Sequence, residues 1–183
     1  MTYLESKAKK FATKKHAGQR YGKKAYTAHL KDVYDITVFF ELSENIRVAA
    51  WLHDTLEDTD TTLEELSREF GAVVAALVYL VTDEPGENRK ERAENTLPKT
   101  RMSDEAIALK LSDRMANVKN SLRNSRTKLF TMYYNEYQYF KNMLYKKSPF
   151  VAGSTWAIWE DLDILFTNST SGRELENKNV RNS

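Results

Sequence analysis

The chain contains no cysteine. Disulfides and thiolate metal sites are therefore excluded, and any bound metal must be held by histidine and carboxylate. Histidine is scarce too, at His16, His29 and His53. Only 6 Gly and 3 Pro interrupt 183 residues. Charge of one sign is lacking: 28 Lys and Arg face 26 Asp and Glu, a net charge of +2. So weak a balance does not argue for a nucleic-acid binder. No apolar run approaches the roughly 20 residues that span a bilayer. The first residues, MTYLESKAKKFATKKH, lack the apolar region of a signal peptide. The expectation is a soluble, cytoplasmic protein, long enough to bury one core and a pocket.

What remains is largely helical in its spacing. Residues 3–17 read as a basic amphipathic helix, and GQRYGKK at 18–24 as a basic loop. Tyr26, His29, Leu30, Val33, Ile36 and Phe40 follow at helical intervals, although the β-branched stretch DITVFF leaves a strand open. Ser43 is placed to cap a helix reaching about residue 55, and Thr61 and Thr62 precede LEEL, an acidic helix start. FG at 70–71 is a break, and AVVAALVYLVT a buried helix. DEPGENRKER, 83–92, reads as a charged loop leading into another helical stretch. Ser103 caps a strong helix over 103–122; further helices are expected over 127–146 and 150–166. With no repeats and no βαβ alternation, the expected fold is one all-α domain over 1–167, with a loose polar tail at 168–183.

Chemistry concentrates in WLHDTLEDTD, 51–60, where His53, Asp54, Glu57 and Asp58 follow the apolar run VAAWL. Burying such charge without a partner costs several kcal/mol, so solvent, a metal or catalysis must account for it. His29 sits on the apolar stripe of its helix. Asp113 lies inside AIALKLSDRMANV, on a face with Ala106, Leu109, Asn117 and Asn120. Taken singly, each has a bland explanation: a hydrogen-bonded core histidine, a paired helical aspartate, an acidic turn. Together they form a pattern, H…HD…D.

The stretches HAGQRYGKKAYTAHL (16–30), AAWLHDTLEDTDTTLEELSREFG (49–71) and ALKLSDRMANV (108–118) resemble the HD-domain phosphohydrolases, and within them the (p)ppGpp hydrolase branch. That branch includes stand-alone small alarmone hydrolases and the hydrolase domain of Rel/SpoT-type enzymes. The resemblance covers about residues 3–145. It implies an HD-type helical bundle around one divalent metal, usually Mn²⁺, held by His29, His53, Asp54 and Asp113. It implies that Glu57 and Asp58 serve the hydrolytic step, and that water displaces the 3′-pyrophosphate of ppGpp or pppGpp to give GDP or GTP and pyrophosphate. It further implies substrate contacts from Arg20, Lys23 and Lys24 in the basic loop, from Arg89 and Lys90, and from Asn117, one turn after Asp113. For each of these cations the competing explanation is a solvated surface.

The chain departs from the family where PYIxHP would stand. It has AYTAHL, with Ala25 and Leu30 at the two proline positions, and LSDR replaces the commoner LADR. The ligands are spared, but the loop expected to hold guanine is altered. Two other readings stay open. One is an HD enzyme for another nucleotide: an adenine alarmone, a deoxynucleotide or NADPH. The other is a non-catalytic module binding RNA or a protein through the N-terminal lysines and the aromatic run MYYNEYQYF. Trp156 and Trp159 are left to either domain packing or an oligomer contact.

Overall fold

Caps and apolar spacing set most element boundaries in the computed structural model, which describes residues 1–146 and 153–181. The order is α1 (Tyr3–Lys15), β1 (Arg20–Tyr21), β2 (Lys24–Ala25), α2 (Thr27–Phe39), α3 (Glu44–Leu52), α4 (Thr55–Asp58), α5 (Leu63–Phe70), α6 (Ala72–Val81), α7 (Arg89–Thr100), α8 (Asp104–Arg123), α9 (Thr127–Leu144) and α10 (Gly153–Arg181). Ser43, Thr62 and Ser103 each accept a backbone N–H three residues on, satisfying a donor that the first helical turn leaves free. Gly71 separates α5 from α6 at φ 89° and ψ 157°, a conformation that only glycine adopts without strain.

The all-α expectation holds, with three local corrections. The basic loop is a two-stranded hairpin, with Arg20 opposite Ala25 and Tyr21 opposite Lys24. Gly22, φ 64°, takes the first central position of its turn, where a type II′ hairpin places glycine. The stretch DITVFF is helical through Phe39: Ile36 and Thr37 are buried while Val38 and Phe39 face outward, so helical period wins over β propensity. The helix capped by Ser43 ends at Leu52, three residues early, and α4 is a separate turn. Near the C-terminus, α10 continues through the segment expected to be a tail, as far as Arg181. Residues 150–152 of the expected closing helix and 182–183 of the tail lie outside the described residues.

The 20-residue helix α8 is the central post of the bundle, about 30 Å long, and packs against α2, α3, α6, α7, α9 and α10. Its Ile107, Leu111, Met115 and Val118 are buried. Trp159 is 3% exposed and packs among Tyr137, Phe140 and Tyr145, so this tryptophan belongs to the domain core. The aromatic run of α9 likewise turns Tyr133 and Phe140 inward. Lys7 and Lys15 on α1 are engaged by Glu69, Asp60 and Glu65. Lys9, Lys10 and Lys14 stay exposed, as do Tyr134 and Tyr139. No described helix is long and apolar enough to cross a membrane.

One buried acid fastens α1. Glu5, 1% exposed, accepts from Arg47 Nε at 2.6 Å, Tyr34 Oη at 3.0 Å and the Thr2 amide at 2.8 Å. Burial opposes its charge, but the bonds from Arg47, Thr2 and Tyr34 together prevail and hold the carboxyl below its ordinary pKa. The stabilisation is therefore present above the carboxyl's unfolded pKa and is lost as pH falls through the lowered folded value. Glu5→Ala, which strands Arg47, is expected to lower unfolding stability by about 3 kcal/mol in urea titration. Glu5→Gln, keeping some of the bonds, should cost less.

Candidate metal centre and cavity

The centre forms where α2, the end of α3 and the middle of α8 meet. His29 lies in the first turns of α2, 3% exposed. His53 is the C-cap of α3 and Asp54 the N-cap of α4. Asp54 makes no capping bond, so its carboxylate is free to face the histidines. Asp113 projects from α8 between buried Leu109 and Ala116. His29 Nε2 lies 3.2 Å from Asp113 Oδ1 and 3.6 Å from Asp54 Oδ2. His53 Nε2 lies 3.0 Å from Asp54 Oδ2 and 3.8 Å from Asp113 Oδ1. One ligand atom from each of His29, His53 and Asp113 falls within 4.8 Å of the others.

The donor set fits a divalent cation. His53 Nδ1–H donates to the Ala50 carbonyl at 2.9 Å, which fixes the ring and turns Nε2 inward. That Nε2 is buried and has no hydrogen-bond partner among the described residues, although Asp54 is near. Two neutral imidazoles with two carboxylates make a mixed nitrogen and oxygen set suited to such an ion. Burial opposes protonation of His53, but Asp54, Asp113 and the Ala50 carbonyl together outweigh it and raise the pKa to about 9. Burial raises the Asp54 and Asp113 carboxyls, and the histidines more than reverse it, leaving both below the ordinary range. In the absence of a cation, the histidine proton supplies the positive charge that the two carboxylates require.

Tyrosines form a further layer. Tyr26 Oη donates to Asp54 Oδ2 at 2.8 Å, and its ring stacks on buried His16, centroids 4.7 Å apart. Tyr21 stacks on His29, also at 4.7 Å, and donates to Asn117 Oδ1 at 2.6 Å. Asn117 Nδ2 donates to Asp113 Oδ1 at 2.6 Å. Neither tyrosine was marked as a site residue by the sequence; the signal available was their place just before His29, Tyr21 in the hairpin and Tyr26 directly after it.

The centre floors a cavity of about 500 Å³, within the range of small-molecule sites. Of the expected site residues, His29, Asp54, Asp113, Glu57, Arg89, Lys90 and Asn117 line it. His53 stands behind the floor. Glu57 Oε2 accepts the Asp83 amide at 3.2 Å. Its carboxyl pKa is raised, first by burial and then by the charge of Asp83. Asp58 is not on the wall; its charge lies near enough to Tyr26 to help raise that phenol's pKa, after burial and Asp54. Arg20, Lys23 and Lys24 are exposed on the hairpin and do not line the cavity. Arg89 and Lys90 reach it from the first turn of α7, capped by Asn88, not from the expected loop. Sequence reasoning missed Lys110, bound to Asp83 at 2.9 Å, and Tyr133 between Arg89 and Arg114. Arg114, also on the wall, pairs with an acid: Nη1 lies 3.0 Å from Glu136. Glu136 also takes both sides of Arg89, at 2.5 and 3.1 Å.

A helical bundle that converges two imidazoles and two carboxylates on a cavity rich in acids and bases defines a metal-dependent hydrolase class. The HD-domain family model matches residues 8–132, and the chain belongs to that family. It is similar to the guanosine-3′,5′-bis(diphosphate) 3′-pyrophosphohydrolase MESH1 of Danio rerio, 32% identical over 162 residues, 85% of this chain and 88% of that one. The guanosine-3′,5′-bis(diphosphate) 3′-pyrophosphohydrolase of Aquifex aeolicus is 40% identical over 122 residues, 62% of this chain but 17% of that longer protein. A solved structure described as a metazoan ortholog of SpoT that hydrolyses ppGpp shares the fold: TM-score 0.74 and 23% identity, covering 92% of this chain and 97% of that one.

Because His53 holds a proton below about 9, a cation must displace it. Divalent-cation affinity should therefore fall as pH is lowered from about 9 to about 6. Calorimetry in buffers of different ionisation enthalpy should detect the released proton, and His53→Ala should abolish tight binding.

Proposed function

We infer that this protein is a metal-dependent guanosine-3′,5′-bis(diphosphate) 3′-pyrophosphohydrolase acting on ppGpp and pppGpp, with Mn²⁺ as its ion. The observation that carries this reading is the joining of the His29–His53–Asp54–Asp113 centre to a nucleotide-sized cavity that Glu57 and the α7 and α8 cations also line. The relatedness to the MESH1 enzyme, over most of both chains, supports the same reaction.

The charge pattern of the cavity supports a polyanionic substrate handled with a cation. Five wall acids (Asp54, Glu57, Asp83, Asp113, Glu136) face four bases (Arg89, Lys90, Lys110, Arg114). Without a cation those groups do not favour a tetra- or pentaphosphorylated ligand. A bound divalent ion supplies positive charge for phosphate oxygens and lowers the pKa of water. Arg89 and Lys90, at the start of α7, meet the diphosphate; a helix N-terminus adds favourable partial charge there. Glu57, whose pKa is raised first by burial, accepts the proton of the attacking water and passes it to the leaving oxygen. Asp58, one residue on and close to the Tyr26 that donates to Asp54, assists it. Exposed Arg20, Lys23 and Lys24, on the hairpin that carries Tyr21, add long-range attraction for the substrate.

Purified protein incubated with ppGpp and Mn²⁺ should release GDP and pyrophosphate, and a chelator should stop it. Orthophosphate in place of pyrophosphate, or turnover of adenine nucleotides alone, would refute this assignment. Glu57→Gln should reduce kcat by about 10²–10⁴-fold with Mn²⁺ affinity retained.

A further inference from the structure

We propose that Tyr21 is a positioning residue that orients the metal-facing oxygen of Asp113 through Asn117. The inference rests on the hydrolase reading for its functional consequence, but its geometry stands apart from any substrate. Tyr21 Oη donates to Asn117 Oδ1, and Asn117 Nδ2 donates to Asp113 Oδ1, both at 2.6 Å. The same Oδ1 faces His29 Nε2 at 3.2 Å. The chain of bonds thus ends on the oxygen that shares the centre with the imidazoles.

Direction matters in this relay. An amide offers a carbonyl on one side and an NH₂ on the other. Only one orientation lets Asn117 donate to a carboxylate, and that orientation turns its carbonyl toward Tyr21. The phenol, a donor there, locks the amide. Turned the other way, a carbonyl would face Asp113, oxygen against oxygen. With both ends of its amide engaged, Asn117 is a support for Asp113 more than a contact for the nucleotide. The Tyr21 ring meanwhile lies on His29, interplanar angle 26°, so one side chain steadies two ligands.

The guanidinium of Arg126 lies over Gly22, where an added Cβ would meet Nη2 at 2.3 Å.

The test measures Mn²⁺ binding by calorimetry on the full chain, without nucleotide, for wild type, Tyr21→Phe, Asn117→Ala and the double variant. Phenylalanine keeps the stack on His29 and removes the hydroxyl alone. Each single change should weaken Mn²⁺ binding about 10-fold or more. The double variant should be no worse than Asn117→Ala, because the two act in series. At saturating Mn²⁺, the KM of Tyr21→Phe for ppGpp should equal that of wild type. Unchanged Mn²⁺ affinity in Tyr21→Phe, or losses that add in the double variant, would overturn the relay. So would a raised KM with normal Mn²⁺ affinity, which would make Tyr21 a substrate contact. Asn117→Ala tests the relay from its other end if Tyr21→Phe does not fold. Wild type that binds Mn²⁺ without cleaving ppGpp would sink the hydrolase reading and leave the relay to be decided by the affinities.

Discussion

Two carboxylates and two imidazoles converge on one buried point, and that convergence is the constraint on which the rest of the molecule depends. Asp54 and Asp113 repel each other, and desolvation raises the cost of keeping both ionised. Something positive must stand between them, whether the proton on His53 or a divalent cation. With no thiolate available, the chain meets this requirement from residues far apart in sequence. Three helical elements must therefore be aimed at one place and held there.

The bundle is organised to do that aiming. The long helix α8 carries Asp113 at mid-length, where packing on six other helices leaves it little freedom to shift. His53 closes α3 and Asp54 opens α4, so adjacent residues at that junction both face one site. The tie from Glu5 to Arg47 secures α1 against α3 and so keeps the element that presents His53 in place. Tyr26 and Tyr21 then fix the carboxylates, one directly and one through Asn117.

The sequence made the helices legible because their apolar residues recur at helical period and their caps are explicit, as at Ser43, Thr62 and Ser103. The ligand pattern H…HD…D was legible because its members were few and each adjoined an apolar segment. The hairpin was not, since strands of two residues carry no periodicity to detect. Its cations drew attention, whereas its aromatic residue reaches the cavity: along a strand, alternate side chains face opposite ways, and Tyr21 turns inward as Arg20 turns out. Arg89 and Lys90 were expected in a loop because PGEN masked the cap at Asn88. Lys110 and Tyr133 are made neighbours of the centre by packing alone, which no local pattern announces.

The bond from Tyr21 to Asn117 joins residues 96 apart in the chain. A two-stranded ribbon is marginal by itself, so this hairpin borrows its shape from α8 and from Arg126 at the start of α9. Loop closure over such a span costs entropy before the contact returns anything, which places the ribbon's docking late in folding. The same contact is a weak point for local opening, because few others hold so short an element. Helices form the frame early and cooperatively; the chemistry is completed last. A chain emerging from the ribosome would thus carry its first imidazoles and carboxylates well before it could seat them, and would acquire a finished centre only after α8 had been made.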